Sequence, residues 1–241
     1  PSWYCSVLRP PTQRHCRTNV TAGISFAGVS VDFDGKLALK EVTVSTDAKS
    51  IAVIGSNGSG KSTFARLLNG LETPSSGTVT VFGGKPSTTN AGFLFSNPDL
   101  QIVMPTVFED VSYSLSSTNL SKAEIETAVT EALTQVGIAH LASENCYTLS
   151  SGQKQLLAIA GILVRQPKLV IADEPTSLLD LKNSMQVRQL LHGLPIEQLV
   201  VVTHDLELAE SCEQAIWFEG GERRRIGNPK TLVAAYREQY S

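Results

Sequence analysis

The stretch Ser50-Ile-Ala-Val-Ile-Gly55-Ser-Asn-Gly-Ser-Gly60-Lys61-Ser62-Thr63 decides the fold, because a short apolar strand runs into a glycine-rich loop and then a helix. Its last nine residues match the pattern G-x-x-x-x-G-K-[ST], and the strand and the predicted helix Lys61–Asn69 supply the context that this pattern requires. Glycines let consecutive backbone N–H groups turn toward phosphate oxygens, and the helix N-terminus adds a positive dipole end. The sequence therefore predicts a phosphate-binding loop.

Each residue type in this loop has an expected task. Lys61 should reach the β- and γ-phosphates of a nucleotide, and the Ser62 hydroxyl should ligate Mg²⁺. The alternative interpretation is a glycine-rich turn that binds no ligand. The predicted cofactors are ATP and Mg²⁺, and the predicted binding residues are Gly55, Ser56, Asn57, Gly58, Ser59, Gly60, Lys61, Ser62 and Thr63.

A second apolar strand, Lys168–Ala172, ends in two adjacent acids. Two neighbouring carboxylates at a buried strand end repel each other unless a cation lies nearby. We expect Asp173 to hold Mg²⁺ through water beside Ser62, and Glu174 to orient and deprotonate the attacking water. The alternative is an Asp-Glu pair that caps a helix at a surface turn, which the phosphate-binding loop in the same chain disfavours.

The composition describes a soluble globular protein. Of the 241 residues, 41% are apolar and 18% charged, and the net charge of −3 does not favour nucleic acid as a partner. The longest apolar run, Leu156–Val164, is far shorter than the ~18 residues of a membrane span. The four cysteines have no zinc or redox spacing, so we expect free thiols. Residues 1–23 lack the apolar core of a signal peptide and are expected to form a poorly ordered tail.

Periodicity predicts the fold class. Alternating apolar residues predict antiparallel strands within Ile24–Thr46, and strands that alternate with helices farther along predict a parallel sheet flanked by helices. Ser121–Gly137 is the clearest helix, since Ser121 and Glu124 form a capping box. Arg223–Arg225 is expected to be a solvated loop or edge strand rather than a binding patch. The further predicted elements are a strand at Gly77–Gly83, helices at Gly152–Arg165 and Leu181–Leu191, and a strand at Leu199–Thr203.

Three further motifs resemble those of ABC-type ATPases. Leu149–Gln153 resembles their L-S-G-G-Q signature, Asp173–Asp180 resembles the Walker B segment with its D-loop, and Val201–Asp205 resembles the segment of the switch histidine. The resemblance covers residues 24–241. It implies a P-loop NTPase fold of class α/β, with a mostly parallel central sheet, an antiparallel β subdomain and a helical subdomain at about residues 97–165.

The resemblance also implies a mechanism for ATP hydrolysis. Two subunits, identical or related, would pack head to tail around two ATP molecules. His204 would hold the γ-phosphate, Asp180 would couple the two sites, and Phe33 would stack on adenine unless it is only a strand core residue. The partner subunit would close over the γ-phosphate with its signature residues Ser150, Ser151, Gly152 and Gln153.

A narrower resemblance links Gly92–Gln101 and Thr106–Val111 to the ATP-binding subunits of energy-coupling-factor importers. These import vitamins, cobalt or nickel, and work with a transmembrane coupling protein and a membrane-embedded substrate-binding protein. The expected location is peripheral, on the cytoplasmic face of the membrane. No long extension follows the core, which is expected to favour the cobalt, nickel or biotin systems, and among them biotin.

Two residues depart from the family pattern. Ser96 replaces a glutamine that contacts Mg²⁺ and the attacking water, so slow hydrolysis is expected. Ser151 replaces the first glycine of the signature. The sequence leaves two other functions open. One is a soluble ABC ATPase not tied to transport, and the other is a non-catalytic nucleotide sensor, against which Glu174 argues.

Overall fold

The computed structural model describes residues 23–240, and the tail expected at residues 1–23 lies outside this range except for Gly23. Nine strands form two sheets. Their bounds are β1 Ile24–Phe33, β2 Lys36–Thr46, β3 Ser50–Gly55, β4 Ser76–Val81, β5 Ala91–Leu94, β6 Leu169–Asp173, β7 Gln198–Val202, β8 Gln214–Glu219 and β9 Glu222–Gly227.

Seven α-helices accompany the strands. Their bounds are α1 Lys61–Asn69, α2 Val107–Tyr113, α3 Lys122–Gln135, α4 Ser151–Leu163, α5 Leu181–His192, α6 Leu206–Glu210 and α7 Pro229–Tyr240. Helices α2, α3 and α4 all lie between β5 and β6 and begin with capping boxes, in which a serine or threonine and the residue three positions later satisfy each other's backbone N–H groups. This part of the described chain is helical, as the sequence predicts.

The larger sheet has the strand order β5-β6-β7-β3-β8-β9. All its neighbouring strands are parallel except β8 and β9, which are antiparallel. The smaller sheet, β2-β1-β4, is antiparallel throughout. The predicted α/β class is therefore confirmed, and so is the edge strand at Arg223–Arg225, which belongs to β9.

An aromatic stack fixes the helix that follows the phosphate-binding loop. Phe64 of α1 stacks on Phe26 of β1, with ring centroids 4.3 Å apart, and contacts Phe218 of β8 at 5.1 Å. All three rings are buried in the core between the two sheets. Since this packing joins both sheets to α1, it fixes the position of the helix N-terminus, where Lys61 lies.

Two other apolar clusters lie on the opposite side of the large sheet. The larger packs α2, α3, α4 and α5 against β5, β6 and β7, and the smaller packs α6 and α7 against β3 and β8. Cys146 and Cys212, the cysteines that the structure describes, are buried free thiols, as predicted. No helix between residues 23 and 240 combines the length and the apolar character that crossing a membrane requires.

Candidate active site

The phosphate-binding loop connects β3, at the centre of the large sheet, to α1. Gly60 immediately precedes the helix with a φ of 100°, and a side chain there would bring its Cβ within 2.7 Å of the Ala38 carbonyl oxygen. Only glycine tolerates both the backbone conformation and this close approach. The loop is thus packed against β2, and its backbone curves around the N-terminus of α1 as the motif predicts.

Lys61 is held inside this loop. Its ammonium donates hydrogen bonds to the carbonyl oxygens of Gly55, at 2.8 Å, and Ser56, at 2.9 Å, and the residue is 6% exposed. Burial lowers the pKa of Lys61, whereas the charges of Glu174 and Asp173 raise it. The two carboxylates therefore help to keep a cation in the place where a nucleotide's terminal phosphates would lie.

The structure brings Ser62 and Asp173 together, although 111 positions separate them. The Ser62 hydroxyl donates to Oδ1 of Asp173 at 3.3 Å. Burial raises the pKa of Asp173, and the hydrogen bond from Ser62 and the charges of Arg66 and Lys61 oppose this effect. Oxygen donors of this kind fit Mg²⁺, which binds through one or two protein oxygens together with substrate phosphates and water. Within residues 23–240 no cluster of three or more His, Cys, Asp or Glu side chains offers a metal cage.

Glu174 lies at the end of β6 and faces His204, which follows β7. Its backbone has a φ of 52°, a conformation that non-glycine residues adopt at a cost of about 1–3 kcal/mol. Its Oε2 accepts a hydrogen bond from the backbone N–H of His204 at 3.3 Å, and its Oε1 lies 3.5 Å from Nε2 of His204. That Oε1 is buried and has no hydrogen-bond partner among the described residues. Since Glu174 also lines the cavity described below, its carboxylate is placed to accept a proton from water there.

The pKa values of this pair favour a base beside a neutral imidazole. Burial raises the pKa of Glu174, while the hydrogen bond from His204 and the charge of Lys61 lower it. Burial and the charge of Lys61 lower the pKa of His204. The lowered pKa favours the neutral form of His204 near pH 7, in which one ring nitrogen donates a hydrogen bond and the other accepts one.

These groups open onto a cavity of about 830 Å³. Phe33, which is 46% exposed, lies on its wall, so this residue is not the buried core residue of the alternative interpretation. The cavity is large enough for a nucleotide. The predicted site residues that line it are Phe33, Asn57, Gly58, Gly60, Lys61, Ser62, Thr63, Glu174 and His204.

The predicted signature residues are not among those lining this cavity. Ser150 caps α4, Gly152 is buried against Asn183, and Ser151 is exposed at a separate small cavity beside Leu178 and Leu179. Two other predicted residues also lie apart from it: Asp180, exposed at the start of α5, and Ser96, exposed after β5. The remaining predicted residues do not line the cavity but belong to the loop, β6 or α4. They are Gly55, Ser56, Ser59, Asp173 and Gln153.

Sequence reasoning missed several residues that line the cavity. Lys36, Leu37 and Ala38 are the first three residues of β2, where no motif marks them. Ser184 and Arg188 come from α5. The signal that could have found these two is helical spacing, because residues 180, 184 and 188 share one face of a helix.

The comparisons with known proteins agree with this geometry. The model of the family described as "ABC transporter" matches residues 39–177. The biotin transport ATP-binding protein BioM of Rhizobium etli is 41% identical over 220 residues, which cover 89% of this chain and 98% of that protein. The energy-coupling factor transporter ATP-binding protein EcfA1 of Latilactobacillus sakei is 37% identical over 210 residues, covering 83% and 75%. The solved structure of cbiO1 from Clostridium perfringens, described as part of the ABC transporter complex cbiONQ, has a TM-score of 0.81 and 31% identity, covering 90% and 92%.

Proposed function

Because this chain belongs to the ABC transporter family and is an ATPase of that family, we propose that it energises a membrane importer of the energy-coupling-factor type. The imported substrate is a vitamin such as biotin, or cobalt or nickel, and biotin has the strongest support because relatives named for biotin transport match nearly the whole chain. The observation that carries the proposal is the convergence of Lys61, Glu174 and His204 on one cavity.

In this proposal each residue of the cavity acts on a stated part of ATP. Phe33 stacks on adenine, the loop amides and Lys61 bind the β- and γ-phosphates, and His204 holds the γ-phosphate. Glu174, whose side chain lines the cavity, accepts a proton from the attacking water. Ser62 and Asp173 would hold Mg²⁺, which neutralises the charge on the phosphate oxygens when it is bound.

A head-to-tail dimer would complete the site. The signature residues Ser150 and Ser151 lie outside the cavity that Lys61 and Glu174 line, so one subunit offers its own ATP no signature contact. A second subunit would supply this segment at the N-terminus of its own α4, with backbone N–H groups that favour an anion. We propose a homodimer, since this chain carries every motif that such a pair requires.

The segment Asn97–Val111 is the proposed docking surface for a transmembrane partner. It borders a cavity of about 200 Å³ between β5, α2 and α4, and its side chains Leu100 and Val103 are 73% and 61% exposed. Buried Asp110 fixes this segment by accepting hydrogen bonds from the backbone N–H groups of Val103 and Met104. In this arrangement the chain is peripheral, on the cytoplasmic face of the membrane, beside a coupling protein and a substrate-binding protein.

The test compares ATP turnover of the purified chain and its Glu174→Gln variant, with Mg²⁺ and with a chelator. General-base catalysis contributes about 10²–10⁴-fold, so we expect Glu174→Gln to lose at least about 10²-fold in kcat while it retains ATP binding. Glu131→Gln on exposed α3 is the control and should behave as wild type. Wild-type turnover by Glu174→Gln would refute the enzymatic assignment. Co-purification with an integral membrane protein and ATP-dependent uptake of labelled biotin test the transport assignment separately.

A further inference from the structure

A cluster of charged side chains at the wall of the ATP cavity joins α5 to the segment that follows β7. Arg188 of α5 forms an ion pair with Asp205 through Nη2, and a second ion pair with Glu207 through Nη1 at 2.9 Å. The side chains of Arg188 and Asp205 are 24% and 18% exposed, whereas that of Glu207 is 79% exposed. The ion pair with Asp205 is thus the one shielded from solvent and salt.

Asp205 in turn fixes the backbone next to His204. Its Oδ1 accepts hydrogen bonds from the N–H groups of Glu207 and Leu208 and so caps α6, and its own N–H donates to Oγ1 of Thr203 at 2.9 Å. Arg188 takes the other carboxylate oxygen, Oδ2. His204 therefore lies between two anchored residues, and its position against Glu174 depends on where Asp205 is held.

Helix α5 connects this cluster to the proposed dimer contact. It begins at Asp180, whose side chain accepts a hydrogen bond from the N–H of Asn183 and which belongs to the segment that resembles a D-loop. Arg188 lies eight residues later on the same face, about 12 Å along the axis. Because a helix is rigid, a movement of the start of α5 would also move Arg188 and, through the ion pair, Asp205.

The charge of Arg188 is already compensated, so it is not the side chain expected to bind a phosphate. Both Nη atoms face carboxylates, and only the buried Nε lacks a hydrogen-bond partner. Lys61 and the loop N–H groups already supply the donors that the phosphates need. The contacts of Arg188 instead indicate that this side chain holds Asp205 in place.

We propose that Arg188 is a positioning residue for ATP hydrolysis: by holding Asp205 it fixes His204 against Glu174, and it ties this arrangement to the position of α5. The proposal rests on the function proposed above for His204 and Glu174. Replacing Arg188 would then slow hydrolysis without weakening ATP binding, because no contact with the nucleotide is lost.

The experiment measures kcat and KM for ATP, together with the melting temperature, for Arg188→Met, Arg188→Lys and Glu207→Gln. We expect Arg188→Met to lower kcat by about tenfold to a hundredfold, as small misplacements of reacting groups do, with KM changed less than about twofold. Arg188→Lys should recover part of kcat, since an ammonium can still pair with Asp205. Glu207→Gln removes only the exposed ion pair and should match wild type.

Three results would overturn the proposal: an unchanged kcat in Arg188→Met, a raised KM with kcat intact, or no recovery in Arg188→Lys together with an equal loss of stability in both variants. If Arg188→Met does not fold, Asp205→Asn serves instead, because an amide oxygen can still cap α6 while the ion pair is lost. It should show the same fall in kcat, and an unchanged kcat in this variant overturns the proposal as well. If Glu174→Gln hydrolyses ATP at the wild-type rate, the proposed function itself fails. If Glu174→Gln is slow and the Arg188 variants hydrolyse ATP at the wild-type rate, only the positioning role of Arg188 fails.

Discussion

Ser96 is the residue whose side chain departs most from what the proposed reaction requires. It follows β5 and is exposed, next to Phe95, whose N–H donates to Oε1 of Gln101 at 2.9 Å. The family resemblance implies that a glutamine at this position would contact Mg²⁺ and the attacking water. A serine is shorter and needs a bridging water to make the same contact.

Ser96→Gln should therefore raise turnover. We expect an increase of severalfold in kcat, because a direct contact replaces one made through water, with ATP affinity nearly unchanged. Ser96→Ala is the matched control and should not exceed wild type. Steady-state ATPase measurements on the assembled importer decide this, and an unchanged kcat in Ser96→Gln would mean that Ser96 does not limit hydrolysis.

The acids of the active site make stability depend on pH. Burial raises the pKa of Glu174 above the ordinary value of 4.5, and it also raises that of Asp173. A carboxyl group with a raised folded pKa binds its proton more tightly when folded, so its favourable contribution is present at low pH and is lost as pH rises through the raised pKa. Near pH 7 both charged groups therefore oppose folding of the nucleotide-free protein.

Because the charged Glu174 carboxylate opposes folding near pH 7, we expect Glu174→Gln to raise the melting temperature of the nucleotide-free protein at this pH. The expected rise is about 2 °C in a chain of this size. The gain should shrink as the pH falls through the raised pKa of the native Glu174 carboxyl group, because that group then binds its proton. Thermal unfolding across this pH range, with Glu131→Gln as the exposed control, measures the effect. A lower melting temperature near pH 7 would contradict it.

At the scale of single residues, the sequence located the cavity through its motifs but not the whole of its wall. Lys61, Ser62 and Glu174 could be found because their types and spacing follow from the chemistry of phosphate and metal. Lys36 could not, because its presence in the wall depends on how a hairpin packs, and the helical spacing that relates Arg188 to Asp180 does not by itself say which way α5 is rotated. Tertiary contacts alone determine both.

Two helices begin with the same local geometry but differ in proposed use. Ser121 caps α3 and Ser150 caps α4, each in a capping box with the residue three positions later. Loss of such a cap costs about 1 kcal/mol. The start of α4 is in addition the proposed contact to the partner's ATP, whereas the start of α3 is not.

Ser121→Ala and Ser150→Ala should therefore separate stability from activity. Both should lower the free energy of unfolding by about 1 kcal/mol. Only Ser150→Ala should also lower kcat, by about tenfold or more, because the hydroxyl and the helix start face the γ-phosphate across the proposed dimer. Denaturant unfolding and ATPase rates measure the two effects, and equal turnover in both variants would argue against the signature contact.

The predicted elements agree with the structure where periodicity or caps are strong. The helix expected at Ser121–Gly137 is α3, and Gly137 has the left-handed φ of 81° expected at its end. Strands β5 and β8 and helices α2, α6 and α7 were not predicted. β5 has only four residues and α6 only five, too short for a period to show, and α2 lies inside a segment that was interpreted by motif alone.

At the scale of the whole molecule, exposed apolar side chains mark two different surfaces. Leu178, Leu181 and Met185 are 58%, 74% and 59% exposed around the start of α5, and Leu100 is 73% exposed on the proposed docking surface. Contiguous exposed apolar groups commonly mark protein contacts. The first surface would face the second subunit, and the other would face the transmembrane partner.

Leu181→Glu and Leu100→Glu make a matched pair to test this division. In a Glu174→Gln background with ATP and Mg²⁺, we expect Leu181→Glu to elute as a monomer, because a buried unpaired charge opposes the dimer. Leu100→Glu should remain dimeric and lose its membrane partner. Size-exclusion chromatography measures the oligomeric state, and co-purification measures binding of the membrane partner. The reverse pattern would mean that the roles assigned to the two surfaces must be exchanged.

Strand β9, at one border of the large sheet, carries Arg223, Arg224 and Arg225, all exposed. An unpaired strand invites another chain to extend the sheet, and such growth leads to aggregation. Arg224 is paired with Glu219, but the guanidinium groups of Arg223 and Arg225 would come close to their own copies in any such stack and repel them. The arginine run, which the sequence predicts to be a solvated loop or edge strand, would thus oppose growth of this sheet from one copy of the chain to the next.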